Sequence, residues 1–307
     1  HRWPPDFTPP PSGHWIMIQP WEFGKIPEGW VEPIRQQVDE VWVPSSSAKQ
    51  CYVEGGVPAN RVQVIPNGVR DDVFHPGAAP FTLDTRKSFR FLFVGGTIYR
   101  KGIDVLLEAY REQFDSRDDV CLVIKGMGDE TFYKGQTAAE TIREIQSDPE
   151  APEILYVTED LAEAQMGGLY TACDCLVHPY RGEGFGMPVA EAMACGLPVI
   201  VTRGGACDDF CTEERAYFVS ASQKRVRVSG DAAAGGDAEG WLLEPEQESL
   251  QGAMQEVVRD PASARAKGQR ASTYVREQLT WEHAAKRVLE RLEALQDVPI
   301  RRETSTT

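Results

Sequence analysis

The feature that most constrains the fold is a regular alternation of short apolar runs with helical patterns, which begins near residue 89. The runs are continuous and rich in β-branched residues, as strands buried on both faces should be. They occupy residues 89–94, 120–124, 154–157, 175–177 and 198–201, and helical patterns separate them over residues 103–113, 130–146, 161–172 and 188–195. This alternation predicts an α/β fold with a doubly wound parallel sheet, whose ligands would bind at the carboxyl ends of the strands.

The remainder of the chain is less regular. Residues 1–75 contain short extended runs and one helix, from about residue 47 to 54, that Ser45 can cap and Gly55 and Gly56 can end. Because such a segment has too few strands for an independent sheet, it is predicted to be the C-terminal part of an incomplete domain. The other predicted parts are a large domain over residues 76–279, a helix over residues 280–296, capped by Thr280 and packed back toward the N-terminal segment, and a disordered tail over residues 297–307.

One segment of the large domain lacks periodicity. Residues 213–240 contain a run of Gly, Ala and Asp, which predicts a solvent loop. A final strand at residues 241–243 is predicted to follow it, with helices at residues 246–259 and 262–277.

Composition excludes several function classes. The net charge of −15 disfavours nucleic acid as a partner, since such binding depends on Lys and Arg replacing counterions at phosphates. Seven cysteines without a C-x2-C pair indicate buried reduced thiols in a cytoplasmic protein rather than a zinc or disulfide framework. No run approaches the roughly 18 apolar residues of a membrane span, so no transmembrane segment is expected.

Two glycine-containing loops follow predicted strands. The first reads GGTIYRKG over residues 95–102, and the second reads KGMG over residues 125–128. Glycine lets backbone amides approach an anion, and a helix amino terminus and basic side chains add positive charge. A diphosphate site is therefore one hypothesis and an ordinary turn with solvated bases is another, because neither loop matches the dinucleotide or P-loop fingerprint. The candidate binding residues here are Gly95, Gly96, Arg100, Lys101, Lys125 and Gly126.

The stretch RGEGFGMPVAEAMACGLPVI over residues 181–200 is the most informative part of the chain. It predicts a glycine-rich loop with one carboxylate, Glu183, followed by a helix entered through a proline, which suits a first helical position. Gly184 and Gly186 would free backbone amides to face a ligand. Glu191 lies one turn inside the helix, where its carboxylate could accept hydrogen bonds from vicinal hydroxyl groups. Two carboxylates at this spacing could also be the paired acids of a glycoside hydrolase, or merely solvated.

This stretch resembles the signature of retaining glycosyltransferase family 4. The resemblance rests on Glu183-x7-Glu191, on Gly184-Phe185-Gly186 and on the following EAMACGLPV. Other segments agree in the family's order, namely VIPNGV at residues 64–69, the loop from FVG to KG at residues 93–102, and LY to ACD at residues 169–174. The match covers about residues 40–295. It implies the GT-B arrangement, in which a Rossmann-like donor domain, here residues 76–279, faces a Rossmann-like acceptor-side domain that residues 1–75 would represent in part.

The resemblance also implies roles for individual residues. Glu183 would contact hydroxyl groups of the donor sugar, Glu191 would contact the ribose, and Lys101 corresponds to the family's phosphate-binding lysine. The family usually has arginine where this chain has Gly96, and Arg100 is the candidate replacement. The implied catalytic residues are Glu183 and Lys101, and the implied donor-binding residues are Gly95, Gly96, Arg100, Lys101, Lys125, Gly126, Glu183, Gly184, Phe185, Gly186, Met187 and Glu191.

The function implied is transfer of a sugar from a nucleoside diphosphate sugar, with UDP or GDP as the nucleotide, to a glycan, lipid or small-molecule acceptor with retention of configuration. No Asp-x-Asp clamp is evident, so neither a metal nor a cofactor is expected. A chain with only part of the acceptor side is expected to bind donor and to transfer sugar poorly. The alternatives are a non-catalytic nucleotide-sugar-binding module and a GT-B-like phosphorylase or epimerase.

Two features of the sequence allow two interpretations each. Residues 20–24, PWEFG, could line the cleft or form an aromatic packing turn, and His178 could face the donor or lie in the core.

Overall fold

The N-terminal segment forms a small parallel sheet with helices against it. In the computed structural model, which describes residues 5–128, 131, 133–228 and 238–301, the strands run in the order β1-β2-β3. The elements are β1 (Ile16–Ile18), α1 (Glu28–Gln37), β2 (Glu40–Val43), α2 (Ser46–Gly55) and β3 (Val62–Val64).

Helix α2 confirms the prediction made from its caps. The side chain of Ser45 accepts a hydrogen bond from the Ala48 amide at 3.1 Å, and Gly56 ends the helix in the left-handed conformation. Helix α1 was missed, because Pro33 inside it is typical of a helix break. Its buried residues, Trp30 and Ile34, are spaced by four and so lie on one face of the helix.

The large domain is built on a parallel sheet, as predicted. Its order in the described residues is β6-β5-β4-β7-β8-β9, and every pairing is parallel. The elements are β4 (Phe89–Gly95), α3 (Ile103–Gln113), β5 (Val120–Gly126), α4 (Ala139–Ser147), β6 (Glu153–Val157), α5 (Glu163–Thr171), β7 (Cys175–His178), α6 (Met187–Ala194), β8 (Val199–Thr202) and β9 (Tyr217–Val219).

Alternation along each strand divides its side chains between two apolar cores. Phe91 and Phe93 of β4 pack in one core with residues of α3 and α4, whereas Leu92 and Val94 pack in the other with residues of α5 and α6. Helices therefore cover both faces of the sheet, which is why its strands are apolar throughout rather than alternating. The doubly wound α/β prediction is confirmed.

The predicted solvent loop at residues 213–240 is wrong where the structure describes it. This region contains β9 and a hairpin of β10 (Ala221–Val228) and β11 (Ala238–Pro245), which pair antiparallel. Residues 229–237 lie outside the described residues. Along β10 the exposed basic side chains alternate with Val226 and Val228, which pack on the N-terminal core, so a half-exposed strand looks polar by composition. The strand predicted at residues 241–243 lies inside β11 and pairs with β10 rather than with the large sheet.

The chain continues with α7 (Gln247–Arg259), α8 (Pro261–Gln278) and α9 (Trp281–Leu295). Helix α9 lies against the N-terminal segment, where the Arg291 guanidinium donates to the Glu40 carboxylate at 2.8 Å. The predicted cap at Thr280 is corrected in part. Thr280 precedes the helix, but its hydroxyl hydrogen-bonds the His283 ring at 2.8 Å instead of a helix amide. In the described residues, no helix is both long and apolar enough to cross a bilayer.

Some predicted boundaries also shift. Helix α4 begins at residue 139 rather than 130, and residues 129, 130 and 132 lie outside the described residues. Helix α6 begins at Met187, one residue before Pro188. Of the predicted tail, residues 302–307 are not described, and the Arg301 amide donates to Asp39 at 2.8 Å. The seven cysteines are buried free thiols, all within the described part of the chain.

Candidate functional site

The two glycine loops open at the same edge of the sheet. Gly95 at the end of β4 pairs in register with Gly126 at the end of β5, so the carboxyl ends of both strands meet there. The first loop then forms a 3-10 turn over Tyr99–Lys101 and enters α3 through Gly102, whose φ is +74°. A Cβ atom on Gly102 would lie 1.9 Å from the Pro179 carbonyl oxygen. Glycine at this position therefore lets the first loop pack directly against Pro179, the residue that follows β7.

Lys101 and Glu183 are in contact at this edge. The Lys101 Nζ atom donates to Glu183 Oε1, and their side chains are only 12% and 5% exposed. The Nε2 atom of His178 lies 2.8 Å from the same oxygen. Burial alone would raise the pKa of the Glu183 carboxyl, but Lys101 and His178 outweigh it and hold that pKa well below its usual range. Glu183 is therefore an ionised, buried acceptor at neutral pH.

His178 belongs both to the core and to this cluster. Its ring is fully buried and stacks on Phe93 with centroids 5.9 Å apart. Burial lowers the pKa of His178 although the bond to Glu183 opposes the shift, so the ring is neutral at pH 7. A neutral ring that donates from Nε2 keeps an acceptor at Nδ1, and Nδ1 has no hydrogen-bond partner among the described residues.

Arg100 binds a carboxylate that the sequence had not singled out. Its Nη1 atom lies 2.8 Å from Glu22 Oε2 and donates to the Gly182 carbonyl at 2.7 Å. The amide of Arg181 donates to the Arg100 carbonyl at 2.8 Å. Burial would lower the pKa of Arg100, but Glu22 and Glu183 raise it. Arg100 thus joins the first donor loop, the signature loop and the PWEFG segment.

The PWEFG segment, residues 20–24, covers the signature loop. A Cβ atom on Gly182 would lie 2.2 Å from the Glu22 carbonyl oxygen, and one on Gly184 would lie 3.3 Å from the Pro20 side chain. The hydroxyl of Ser45 donates to the Gly184 carbonyl at 2.8 Å. The cavity left between segment and loop measures about 20 Å³, which is room for little more than one water molecule. The signature glycines therefore permit close packing between the two halves of the chain.

Arg181 fixes the shape of the signature loop. Its guanidinium is buried, bonds Asp104 and Glu244 at 2.6 Å each, and lies 3.7 Å from the centroid of the Tyr99 ring. The Leu243 amide donates to the Arg181 carbonyl at 2.8 Å. These contacts fasten the β10–β11 hairpin to the loop, so the role of Arg181 is to hold the loop in place.

The remaining candidates have other surroundings. A Cβ atom on Gly96 would lie 2.5 Å from the Tyr133 ring, whose side chain also interacts with Arg100. The Tyr133 ring thus occupies the space that a side chain at position 96 would need. Lys125 is buried and donates to the Gly126 carbonyl at 2.5 Å.

The helix that carries Glu191 starts from a glycine in the left-handed conformation. Gly186 precedes α6 with φ +94°, a left-handed conformation that favours glycine. Phe185 is buried against Phe210 with centroids 5.2 Å apart, and Met187 is half-buried. Tyr170 of α5 donates to Glu191 Oε2 at 2.8 Å. The structure thus brings Arg100, Lys101 and Glu183 together, whereas Glu191 pairs with Tyr170.

Glu191 should make stability depend on pH. Burial raises the pKa of its carboxyl from 4.5 to about 7, although the Tyr170 hydrogen bond opposes the shift. An acid whose pKa rises on folding stabilises the fold while protonated, so this contribution is present below pH 4.5 and is lost as pH rises through 7. We expect the stability difference between the parent and Glu191→Gln, measured by urea unfolding, to change by up to about 3 kcal/mol between pH 4.5 and 8. A constant difference would show that the half-buried Glu191 carboxyl keeps its ordinary pKa.

Comparison with known proteins places the chain among glycosyltransferases. The family described as "Glycosyl transferases group 1" matches residues 88–259, more than half of the chain, including both glycine loops and the signature stretch. A D-inositol 3-phosphate glycosyltransferase of Pseudarthrobacter chlorophenolicus is 27% identical over 168 residues, which cover 52% of this chain and 38% of that protein. The lipopolysaccharide core biosynthesis mannosyltransferase LpsB of Rhizobium meliloti is 28% identical over 219 residues, which cover 67% of this chain and 58% of that protein.

Solved structures agree at the level of the fold. A glycosyltransferase from Rickettsia africae matches with a TM-score of 0.68 and 16% identity, covering 92% of this chain and 71% of that one. Anabaena HepE in complex with UDP and glucose matches with a TM-score of 0.63 and 15% identity, covering 86% of this chain and 66% of that one. These likenesses confirm the GT-B type of α/β fold. The chain spans 38% and 58% of the two curated relatives named above.

Proposed function

The chain belongs to the glycosyl transferases group 1 family, and from that membership we propose that it binds a nucleoside diphosphate sugar for transfer of the sugar to an acceptor with retention of configuration. The observation that carries the proposal is the contact between Lys101 and Glu183, beside Arg100, at the carboxyl edge of the parallel sheet. Ligands of doubly wound sheets bind at this edge. The same cluster offers cations for phosphates and an ionised carboxylate for hydroxyl groups.

The diphosphate end of the donor would lie against the first loop. Lys101 and Arg100 supply full positive charges, and α3 begins immediately afterwards at Ile103, so its amino terminus adds a partial positive charge. When the sugar leaves, negative charge develops on the diphosphate, and cations fixed in a partly buried site stabilise that charge better than mobile water does. Amides near Gly95, Gly96 and Gly126 would complete the contact. No metal or cofactor is needed in this arrangement.

The sugar and the ribose would be held by separate carboxylates. Glu183 is ionised and sits beside Lys101, so hydroxyl groups of the donor sugar can donate to it next to the diphosphate. Glu191 is one helical turn into α6, where the ribose hydroxyl groups can replace or share its bond from Tyr170. The backbone around Gly184, Phe185, Gly186 and Met187 would complete the sugar site, and Lys125 would contact the nucleotide.

For the nucleotide and the acceptor we propose chemical classes. UDP or GDP is the proposed nucleotide, and HepE, which has the same type of fold, has been solved with UDP and glucose. A glycan, a lipid or a small molecule is the proposed acceptor, bound from the side of residues 1–75. A cytoplasmic location is proposed from the reduced thiols.

The direct test of transfer uses a panel of UDP-, GDP- and ADP-sugars with candidate acceptors. The assay measures release of the nucleoside diphosphate and determines the anomeric configuration of the product by NMR, with Lys101→Met as the inactive control. Donor-dependent formation of a product with retained configuration supports the proposal. Binding of a donor with no detectable transfer or hydrolysis, rather than slow transfer, would indicate a binding module instead, and an inverted product would exclude retention.

Binding of the nucleoside diphosphate should not require a divalent metal. Because Lys101 and Arg100 supply the charge that a metal would otherwise supply, we expect the affinity measured by calorimetry in chelator to lie within about threefold of that in magnesium, or roughly 0.7 kcal/mol. Binding that disappears in chelator and returns with magnesium would contradict this part of the proposal.

A further inference from the structure

We propose that Glu22 is a positioning residue that competes with the donor's diphosphate for Arg100, so that the donor must displace an internal counter-ion in order to bind. The inference rests on the proposed function, because it takes the first loop to be the diphosphate site. Both cations of that site are already paired in the structure, Lys101 with Glu183 and Arg100 with Glu22. The two pairs differ in origin, since Glu183 belongs to the donor site itself, whereas Glu22 comes from the N-terminal segment.

A diphosphate bound at the first loop would compete with Glu22 for Arg100. The two side chains are 13% and 28% exposed and their charged atoms lie 2.8 Å apart. Attraction at this distance is stronger in a partly buried site than in water. A diphosphate bound by the same guanidinium would add negative charges beside Glu22 and Glu183. Like charges that share one cation repel, so diphosphate binding favours the withdrawal of Glu22.

The small space between the PWEFG segment and the signature loop also favours the withdrawal of Glu22. The cavity between the PWEFG segment and the signature loop measures about 20 Å³, enough for roughly one water molecule and not for a sugar. The Glu22 carbonyl lies against Gly182, so a sugar that entered between the PWEFG segment and the signature loop would have to move the segment. Movement of the segment would also break the Arg100–Glu22 bond. By linkage, whatever weakens that bond must strengthen diphosphate binding.

The test compares nucleoside diphosphate affinities by calorimetry, with UDP, GDP and ADP as probes. We expect Glu22→Gln to bind the preferred diphosphate about three- to tenfold more tightly than the parent, and Glu22→Ala to change the affinity in the same direction. In the background of Arg100→Gln, the gain from Glu22→Gln should vanish. Glu40→Gln is the matched control, because Glu40 also joins the N-terminal segment to the rest of the chain, through Arg291, but does not contact the first loop.

Each outcome separates the inference from the proposed function. If the parent binds a diphosphate and folded Glu22→Gln binds it equally or more weakly, the competition is refuted while the donor site stands. An equal gain in Glu40→Gln would assign the effect to general loosening between the two halves and would also refute the inference. If neither the parent nor any variant binds any of the three diphosphates, both the inference and the proposed function fail.

Discussion

Replacement of Lys101 by methionine is expected to weaken nucleoside diphosphate binding about 100-fold, or by roughly 3 kcal/mol. Methionine keeps the apolar length of the side chain and removes only its charge. The diphosphate then loses a charge-assisted hydrogen bond in a partly buried site, and it also meets a Glu183 carboxylate that no longer has its main counter-ion. Calorimetric titration of parent and variant with the same diphosphate measures the loss.

The same substitution should destabilise the fold, which a second variant can separate from the loss of binding. Removing one partner of a buried ion pair costs roughly 3 kcal/mol because the remaining charge is left without compensation. Lys101→Met combined with Glu183→Gln removes both charges, so we expect it to recover most of the stability in urea unfolding. Its diphosphate affinity should stay low. If affinity recovered together with stability, Lys101 would act only through the fold.

The two glutamates of the signature stretch should respond differently to substitution. Glu183→Gln is expected to weaken binding of the intact sugar donor by about 1.5 to 3 kcal/mol, because a charged acceptor for the sugar hydroxyl groups is lost. Binding of the bare diphosphate should not weaken by more than about 0.5 kcal/mol, since Lys101 remains in place and loses a competing carboxylate. Glu191→Gln should weaken the donor and the bare diphosphate alike, by about 1.5 to 3 kcal/mol, because both ligands contain the ribose.

Calorimetry with both ligands and both variants measures this contrast, and thermal unfolding reports whether the variants fold. Parallel losses for Glu183→Gln, accompanied by a lowered melting temperature, would indicate a structural role for the pair. Loss of bare diphosphate binding in a folded Glu183→Gln variant would show that the sugar is placed wrongly.

Elements with strong local signals could be predicted from the sequence. The strands of the large sheet are apolar runs because helices cover both of their faces, and α2 carries a serine cap and a left-handed glycine at its ends. The β10–β11 hairpin could not be found in this way. Only Val226 and Val228 of its first strand pack on the N-terminal core, and such packing across distant parts of the chain leaves little trace in composition.

The candidate site, too, could be predicted from the sequence only in part. The sequence indicated that Lys101 and Glu183 belong to loops at the edge of one sheet, because strand order alone brings such loops together. It did not indicate their direct contact or the part that His178 plays in it. Glu22 is 78 positions before Arg100 in the chain, and the only signal was a charged residue among the aromatic residues of the PWEFG segment. Likewise, only the fold shows that Tyr133 fills the space beside Gly96.

A donor site at the carboxyl edge of the sheet is tested most directly by calorimetric titration of UDP, GDP and ADP into the chain, followed by titration of the preferred diphosphate into Lys101→Met. We expect saturable one-to-one binding of at least one of the three and a loss of about 100-fold in the variant. Failure of a folded chain to bind any of them, or binding that Lys101→Met leaves unchanged, would contradict a donor site at the carboxyl edge of the sheet.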